Sequence, residues 1–292
     1  MNYYNEIKNE LINNEVYKKV KDYSKNRNDL NTYYNVGKLL SEAGKHYGEG
    51  IIKKYSVRLT NELGKGYTET RLKYMRQFYE KSPTMSDYLT WSHYVELLSI
   101  NDINKTNYYI KIIEKQNLSV RELRQKIKSN EYERLDNETK LKLIEKNGEK
   151  NIKDFIKNPI LIKKKYNTNK ISEKVLQQII LENLKCFLCE LGEGFTYISN
   201  EYKIKIGNRY NYIDLLLYNI KFNCYVVIEL KITELKKEHI GQIKTYMNYV
   251  DKNIKNHNQS NTIGIILCKR DNKFIMEYCS DERIFSKEYE LI

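Results

Sequence analysis

The sequence predicts two domains: an all-α N-terminal domain over residues 1–135 and an α/β C-terminal domain with a mixed sheet, in the order αβββαβ, over 151–292. Three observations carry this. Apolar residues recur at helical spacing from Tyr3 to Leu135, they thin out over 136–150, and from Ser172 onward a helical period gives way to strand-like runs. A chain of 292 residues is long enough for two such cores.

The helical half is read from sets such as Leu39, Leu40, Ala43 and then Ile51, Ile52, Tyr55, Leu59, Leu63. A helix ending near Glu62, the break Gly64-Lys65-Gly66 and a second helix from Thr68 to Tyr79 give a helix-turn-helix outline, with Thr68 as N-cap. Between Ile51 and Lys81 eight basic residues face three acidic ones. This makes Lys65, Arg71, Lys73 and Arg76 candidate DNA contacts; a solvated basic helix pair packed on its own domain is the plainer reading. Ser119 to Leu135 reads as a surface helix with Ser119 and Glu122 as a capping box. Trp91, the single tryptophan, reads as a core anchor.

Residues 136–150 keep only Leu141, Leu143 and Ile144 as apolar side chains and are expected as a linker or an extension of a helix. Beyond it come an apolar helix over 172–191 ended by Gly192 and Gly194, strands over 196–206, 210–218 and 224–232, a helix from Glu238 to about Val250, and a strand over 262–268.

Lys plus Arg number 51 and Asp plus Glu 38, a net charge of +13, which favours a polyanionic partner, although a compositional bias toward lysine yields the same excess. The charge is not confined to one half: residues 1–150 carry 28 basic and 21 acidic side chains. The sequence lacks a membrane span and a signal-like N-terminus, so a cytoplasmic protein with no membrane partner is expected. Five cysteines are read as reduced thiols, since Cys186 and Cys189 have no matching second pair. His46, His93, His239 and His257 are too widely separated for ligand spacing and are read as ordinary histidines.

The chemistry concentrates in two strands. YVVIELK, residues 225–231, is a buried type of strand interrupted by Glu229 and Lys231, which alternation places on one face; Asp214 interrupts YIDLLLY in the strand before it. A hairpin would bring Asp214 beside Glu229. Two carboxylates and a lysine suit a hard divalent cation and phosphodiester cleavage, with Asp214, Glu229 and the Leu230 main-chain carbonyl as metal ligands, magnesium as the ion and manganese as a substitute. Lys231 would orient water and stabilise the transition-state phosphate. A buried Lys231 merely paired with Asp214 or Glu229 is the structural alternative.

Ile213-Asp214 followed by Glu229-Leu230-Lys231 resembles the D…ExK signature of the PDDEXK (restriction-endonuclease-like) nucleases, and the whole chain resembles the YhcG family, which joins a helical N-terminal domain to such a nuclease domain. The resemblance is carried by residues 62–79, 89–98, 119–135, 190–195, 212–218, 224–231, 241–250 and 263–268, and it spans nearly all of 30–280. Ile213 stands where the superfamily motif has proline. The resemblance implies a metal-dependent DNA endonuclease in foreign-DNA defence or DNA repair, with DNA as partner and a homodimer or a protein partner docking through the N-terminal domain. It adds Gln242 as a catalytic residue and Tyr246 as a DNA contact, through a QxxxY helix motif, with Tyr246 as plain core the alternative. It also implies an acid from the first helix, for which Glu173 is preferred to Glu182 because it shares a face with Ile180, Leu184 and Leu191, as does Gln177. The rival function is a non-catalytic DNA-binding or complex-forming protein with a nuclease-like fold.

Overall fold

The computed structural model describes residues 3–20, 25–81, 86, 88–145, 151–164, 171–279 and 281–292. The chain divides into two compact units, Met1–Tyr132 and Glu133–Ile292.

The first unit is helical: α1 Tyr3–Val20, α2 Lys25–Tyr47, α3 Ile51–Leu63, α4 Glu69–Lys81, α5 Trp91–Leu97, α6 Ile103–Gln116 and α7 Val120–Lys128. Ile7, Leu11, Val36, Leu40, Ile52, Leu59, Leu72 and Met75 share one core, and Trp91 packs its ring against Tyr33 and Phe78, as the core-anchor reading expects. Gly64 ends α3 at φ 102°, and Thr68 Oγ1 accepts the Arg71 amide at 3.3 Å, so the expected break between α3 and α4 is built as read. The most extensive packing of α4 is with α2, and α3 contributes less. The two helices meet at Gly37, where a Cβ would lie 2.1 Å from the Met75 carbonyl oxygen. Gly37→Ala must push α2 and α4 apart, and we expect it to cost about 1–3 kcal/mol in denaturant unfolding of the full chain; unchanged stability would show that the crossing relaxes freely. Ser119 and Glu122 form the expected capping box, but α7 stops at Lys128, not Leu135, and turns follow.

The second unit begins with α8 Asn137–Glu145, in the stretch expected as a linker or an extension of a helix. For these residues the structure has a helix, separate from α7, in place of a linker: Thr139 and Lys142 bond the buried Asp154 carboxylate, and Lys287 pairs with Asp136, so polar side chains tether the segment where apolar ones are scarce. Residues 146–150 lie outside the described residues. A short 3-10 turn over Ile152–Phe155 precedes β1 Ile160–Ile162. Next come α9 Glu173–Glu182, α10 Leu184–Leu191, β2 Phe195–Ile206, β3 Arg209–Asn219, β4 Cys224–Leu230, α11 Lys237–Asn253, β5 Ser260–Cys268, α12 Lys273–Cys279 and β6 Ile284–Leu291. The strands form one mixed sheet in the order β1-β6-β5-β4-β3-β2, antiparallel from β2 to β4 and parallel elsewhere.

The helix expected over 172–191 is two helices, broken at Asn183, whose amide side chain donates to the Lys163 carbonyl at 3.2 Å. Leu176, Ile180, Phe187 and Leu191 from this pair cover one sheet face with Leu215, Leu217, Val226, Ile228 and Leu230. Ile240, Ile243, Tyr246 and Met247 of α11 cover the other with Leu216, Val227 and Ile266. The approach of α11 is close: a Cβ on Gly264 of β5 would lie 2.6 Å from Met247 Sδ and 2.8 Å from Ile243 Cδ1.

Candidate active site

Leu215 of β3 pairs with Ile228 of β4, so the next step of the same register sets Asp214 across from Glu229. Asp214 is held twice. Its Oδ2 accepts the Leu230 amide at 2.7 Å, and its main-chain carbonyl accepts Gln177 Nε2 of α9 at 2.8 Å. Lys231 follows the end of β4, its amide still donating to the Leu267 carbonyl at 2.8 Å. Its Nζ lies 3.4 Å from Glu229 Oε2 and 3.7 Å from Glu173 Oε2. The expected meeting of Glu229 and Lys231 on one side of the strand is therefore present.

Glu229 is 1% exposed, and its Oε1 has no hydrogen-bond partner among the described residues, a costly state for a buried carboxylate oxygen. Burial pushes its pKa from 4.5 to about 8, the neighbouring Asp214 adding to the shift and Lys231 opposing it. Asp214 is raised by burial, with the Leu230 amide and Lys231 pulling back. For Lys231, burial works against the charge, but Glu229, Glu173 and Asp214 together lift its pKa above the ordinary lysine value. Excess negative charge packed around one lysine, with an orphaned carboxylate oxygen, is an arrangement that a divalent cation completes.

The helix motif lies beside this group. Gln242 Nε2 donates to Tyr246 Oη at 3.2 Å. Tyr246 is buried in the α11 core, so the plainer reading holds for its ring, while its phenol also feels the charges: burial raises its pKa and Glu229 and Asp214 add to that. Two residues were given no role from sequence. Gln177, noted only for sharing the Glu173 face, fixes Asp214; His239, read as ordinary, is buried at the start of α11, accepts the Lys236 amide on Nδ1 at 3.1 Å, and has its pKa lowered by burial and then by Lys231. The only signal for His239 was its position three residues before Gln242.

Glu173 reaches the site, and Glu182 does not, bonding Gln178 instead. The neighbour the structure gives Glu173 is Lys231, and among the described residues no group of three or more His, Cys, Asp or Glu side chains is assembled to hold a metal. The basic residues of the first unit have neighbours of their own. Arg71 donates to Tyr33 Oη at 2.8 Å and to the Gly66 carbonyl, and Arg76 pairs with Glu49 at 2.6 Å and Glu80 at 3.5 Å. Both guanidiniums are engaged within their own unit. Lys65 is exposed, and Lys73 pairs with Glu69 one helical turn away.

A carboxylate on one strand, then Glu-Leu-Lys on its antiparallel neighbour, within a mixed sheet covered by α9 and α11, is the arrangement of a PDDEXK nuclease domain. Comparison with known proteins agrees. Residues 153–292 match the YhcG PDDEXK nuclease domain and residues 8–134 the DUF1016 N-terminal domain. A protein of Escherichia coli (strain K12) named "Putative nuclease YhcG" is 25% identical over 283 residues, covering 81% of this chain and 76% of its own length. The chain belongs to the YhcG-type PDDEXK nuclease family. Among solved structures, a repair endonuclease from Pyrococcus abyssi is 23% identical at TM-score 0.29, covering 42% of this chain and 49% of its own. An EndoMS–dsDNA complex is 19% identical at TM-score 0.30, covering 44% and 48%. The chain thus spans about half the length of each of these two. No described helix is long and apolar enough to cross a membrane.

Proposed function

We propose that this chain is a magnesium-dependent DNA endonuclease, with manganese as a substitute ion, acting in the cytoplasm in foreign-DNA defence or DNA repair. The observation that carries the reading is the orphaned Glu229 Oε1 beside Asp214, with Lys231 at the same sheet end. Asp214, Glu229 and the Leu230 carbonyl would hold the cation, while Glu173 positions Lys231. When bound, the cation supplies Lewis-acid neutralisation of phosphate charge and acidifies water.

The chain's own groups do the rest. The Leu230 amide and Gln177 lock Asp214 in rotation and height, so its free oxygen needs no reorganisation when substrate arrives. The Lys231 ammonium orients the attacking water and then faces the developing charge on the phosphate. Gln242, tied to Tyr246, presents its amide from α11 to the scissile strand. In the first unit, exposed Lys65 and the surface pair Lys73–Glu69 are the candidates left for DNA contact, and the same unit is the candidate for partner or homodimer docking.

Supercoiled plasmid incubated with magnesium should be nicked and then linearised by the wild type and left intact by Asp214→Asn. Equal cutting by both proteins, or no cutting with either ion on duplex and single-stranded DNA, would overturn the reading.

A further inference from the structure

β2 and β3 pair along their whole length, from Phe195↔Asn219 to Ile206↔Arg209, yet β3 pairs with β4 only over Leu215–Asn219. The distal half of the hairpin therefore runs past the third strand as a two-stranded ribbon, and it leaves the sheet at Asp214. Its two faces differ. On one, Ile204 and Ile213 are buried in the core beneath α11. On the other, the cross-strand partners Lys203↔Tyr212 and Lys205↔Tyr210 project together, and all four side chains are exposed.

Tyr210 is 56% and Tyr212 52% exposed, an amount of aromatic surface that ordinary sheet packing would cover. Lys203 Nζ sits 3.9 Å from the Tyr210 ring centroid, which fixes the ring without burying it. Arg209 at the turn is exposed too, and Glu201, at the site end, is the one acid between Asn200 and Asp214. Two tyrosine rings alternating with two ammonium groups make a surface for bases and phosphates together. Rings of this kind can take a base only where that base is unstacked from its neighbours.

We infer that the outer face of the β2–β3 ribbon, Lys203, Lys205, Tyr210 and Tyr212, is a platform for single-stranded DNA that leads the strand to Asp214. The inference deepens the nuclease reading and rests on it for the choice of nucleic acid. The lysines neutralise successive phosphates and the tyrosines stack on bases, so recognition is of strand form and not of sequence. Because Tyr212 precedes Asp214 by two residues on one strand, a nucleotide stacked there lies next to the catalytic carboxylates.

The test uses the full chain carrying Asp214→Asn, in chelator, with fluorescein-labelled single-stranded and duplex DNA of the same sequence followed by anisotropy. Adding Tyr210→Ser and Tyr212→Ser should weaken single-strand binding by roughly tenfold or more and leave duplex binding unchanged. Adding Lys203→Ala and Lys205→Ala should flatten the dependence of log Kd on log salt by about 1.4, about 0.7 for each lost phosphate contact. Circular dichroism confirms that each variant is folded. Wild-type affinity in all variants, or equal losses on single-stranded and duplex DNA, overturns the inference. So does a loss of self-association in sedimentation with DNA binding intact, which would make this face a contact between copies. If the unmodified chain cuts nothing and yet the binding losses appear, the nuclease reading fails and the platform stands.

Discussion

Asp214→Asn and Lys231→Ala should each reduce single-turnover DNA cleavage by roughly 10²–10³-fold while leaving a folded protein. Asn keeps the shape of Asp214 and can retain the Leu230 amide bond through its carbonyl oxygen, but it removes the negative charge opposite Glu229. The loss would therefore report charge at the site and not a collapsed strand. Lys231→Ala removes the one cation paired with both Glu229 and Glu173 among the described residues, and with it the donor proposed to face the phosphate. Cleavage within a few-fold of the wild type in either variant would remove that residue from the chemistry.

The second large effect is on stability and its pH dependence, and it is read without substrate. The Glu229 carboxyl ionises near 4.5 when unfolded and near 8 in the folded, metal-free protein, chiefly through burial. Between those values the folded chain keeps a proton that the unfolded chain has released. Stability from this group is thus fully present below about 4.5, falls as pH rises, and is lost above about 8, a change on the order of a few kcal/mol. Glu229→Gln has no such proton to lose. In chelator, the Gln variant should gain on the wild type in melting temperature as pH rises through that window. Magnesium at pH 8 should then raise the melting temperature of the wild type and not of the variant. A gap between the two proteins that stays flat from acid to pH 8 would refute the argument.

Much of the site was legible because charge in an apolar strand is a loud signal. Asp214, Glu229 and Lys231 each interrupt a run of Val, Ile and Leu, and period-two alternation fixed the side that Glu229 and Lys231 share. What stayed illegible is pairing. Arg71 and Arg76 read as a basic helix face, but Tyr33, Glu49 and Glu80 that hold them come from elsewhere in the chain or the next turn, which a pattern of positive residues does not reveal. β6 was missed for the same reason: Lys287 in IFSKEYEL looks solvated, and it lies buried in the strand paired with Asp136, which is 151 positions away. β1 is three residues long, too short for any period, and its pairing with β6 is parallel and distant in sequence. The break at Asn183 carries neither glycine nor proline; the Lys163 carbonyl that Asn183 bonds is twenty positions away.

Gly264 lies on β5, beside Val227 of β4, and contributes no side chain at all. Met247 and Ile243 rest where its Cβ would be, and they belong to the same helix as Gln242 and Tyr246. The empty position thus acts as a shim of zero thickness between helix and sheet, and it sets how closely the helix that carries Gln242 and Tyr246 lies on β5. The spacing of helix and sheet is gauged by an atom the chain leaves out, and any side chain gained at that position would displace the helix without altering a single residue of the candidate site.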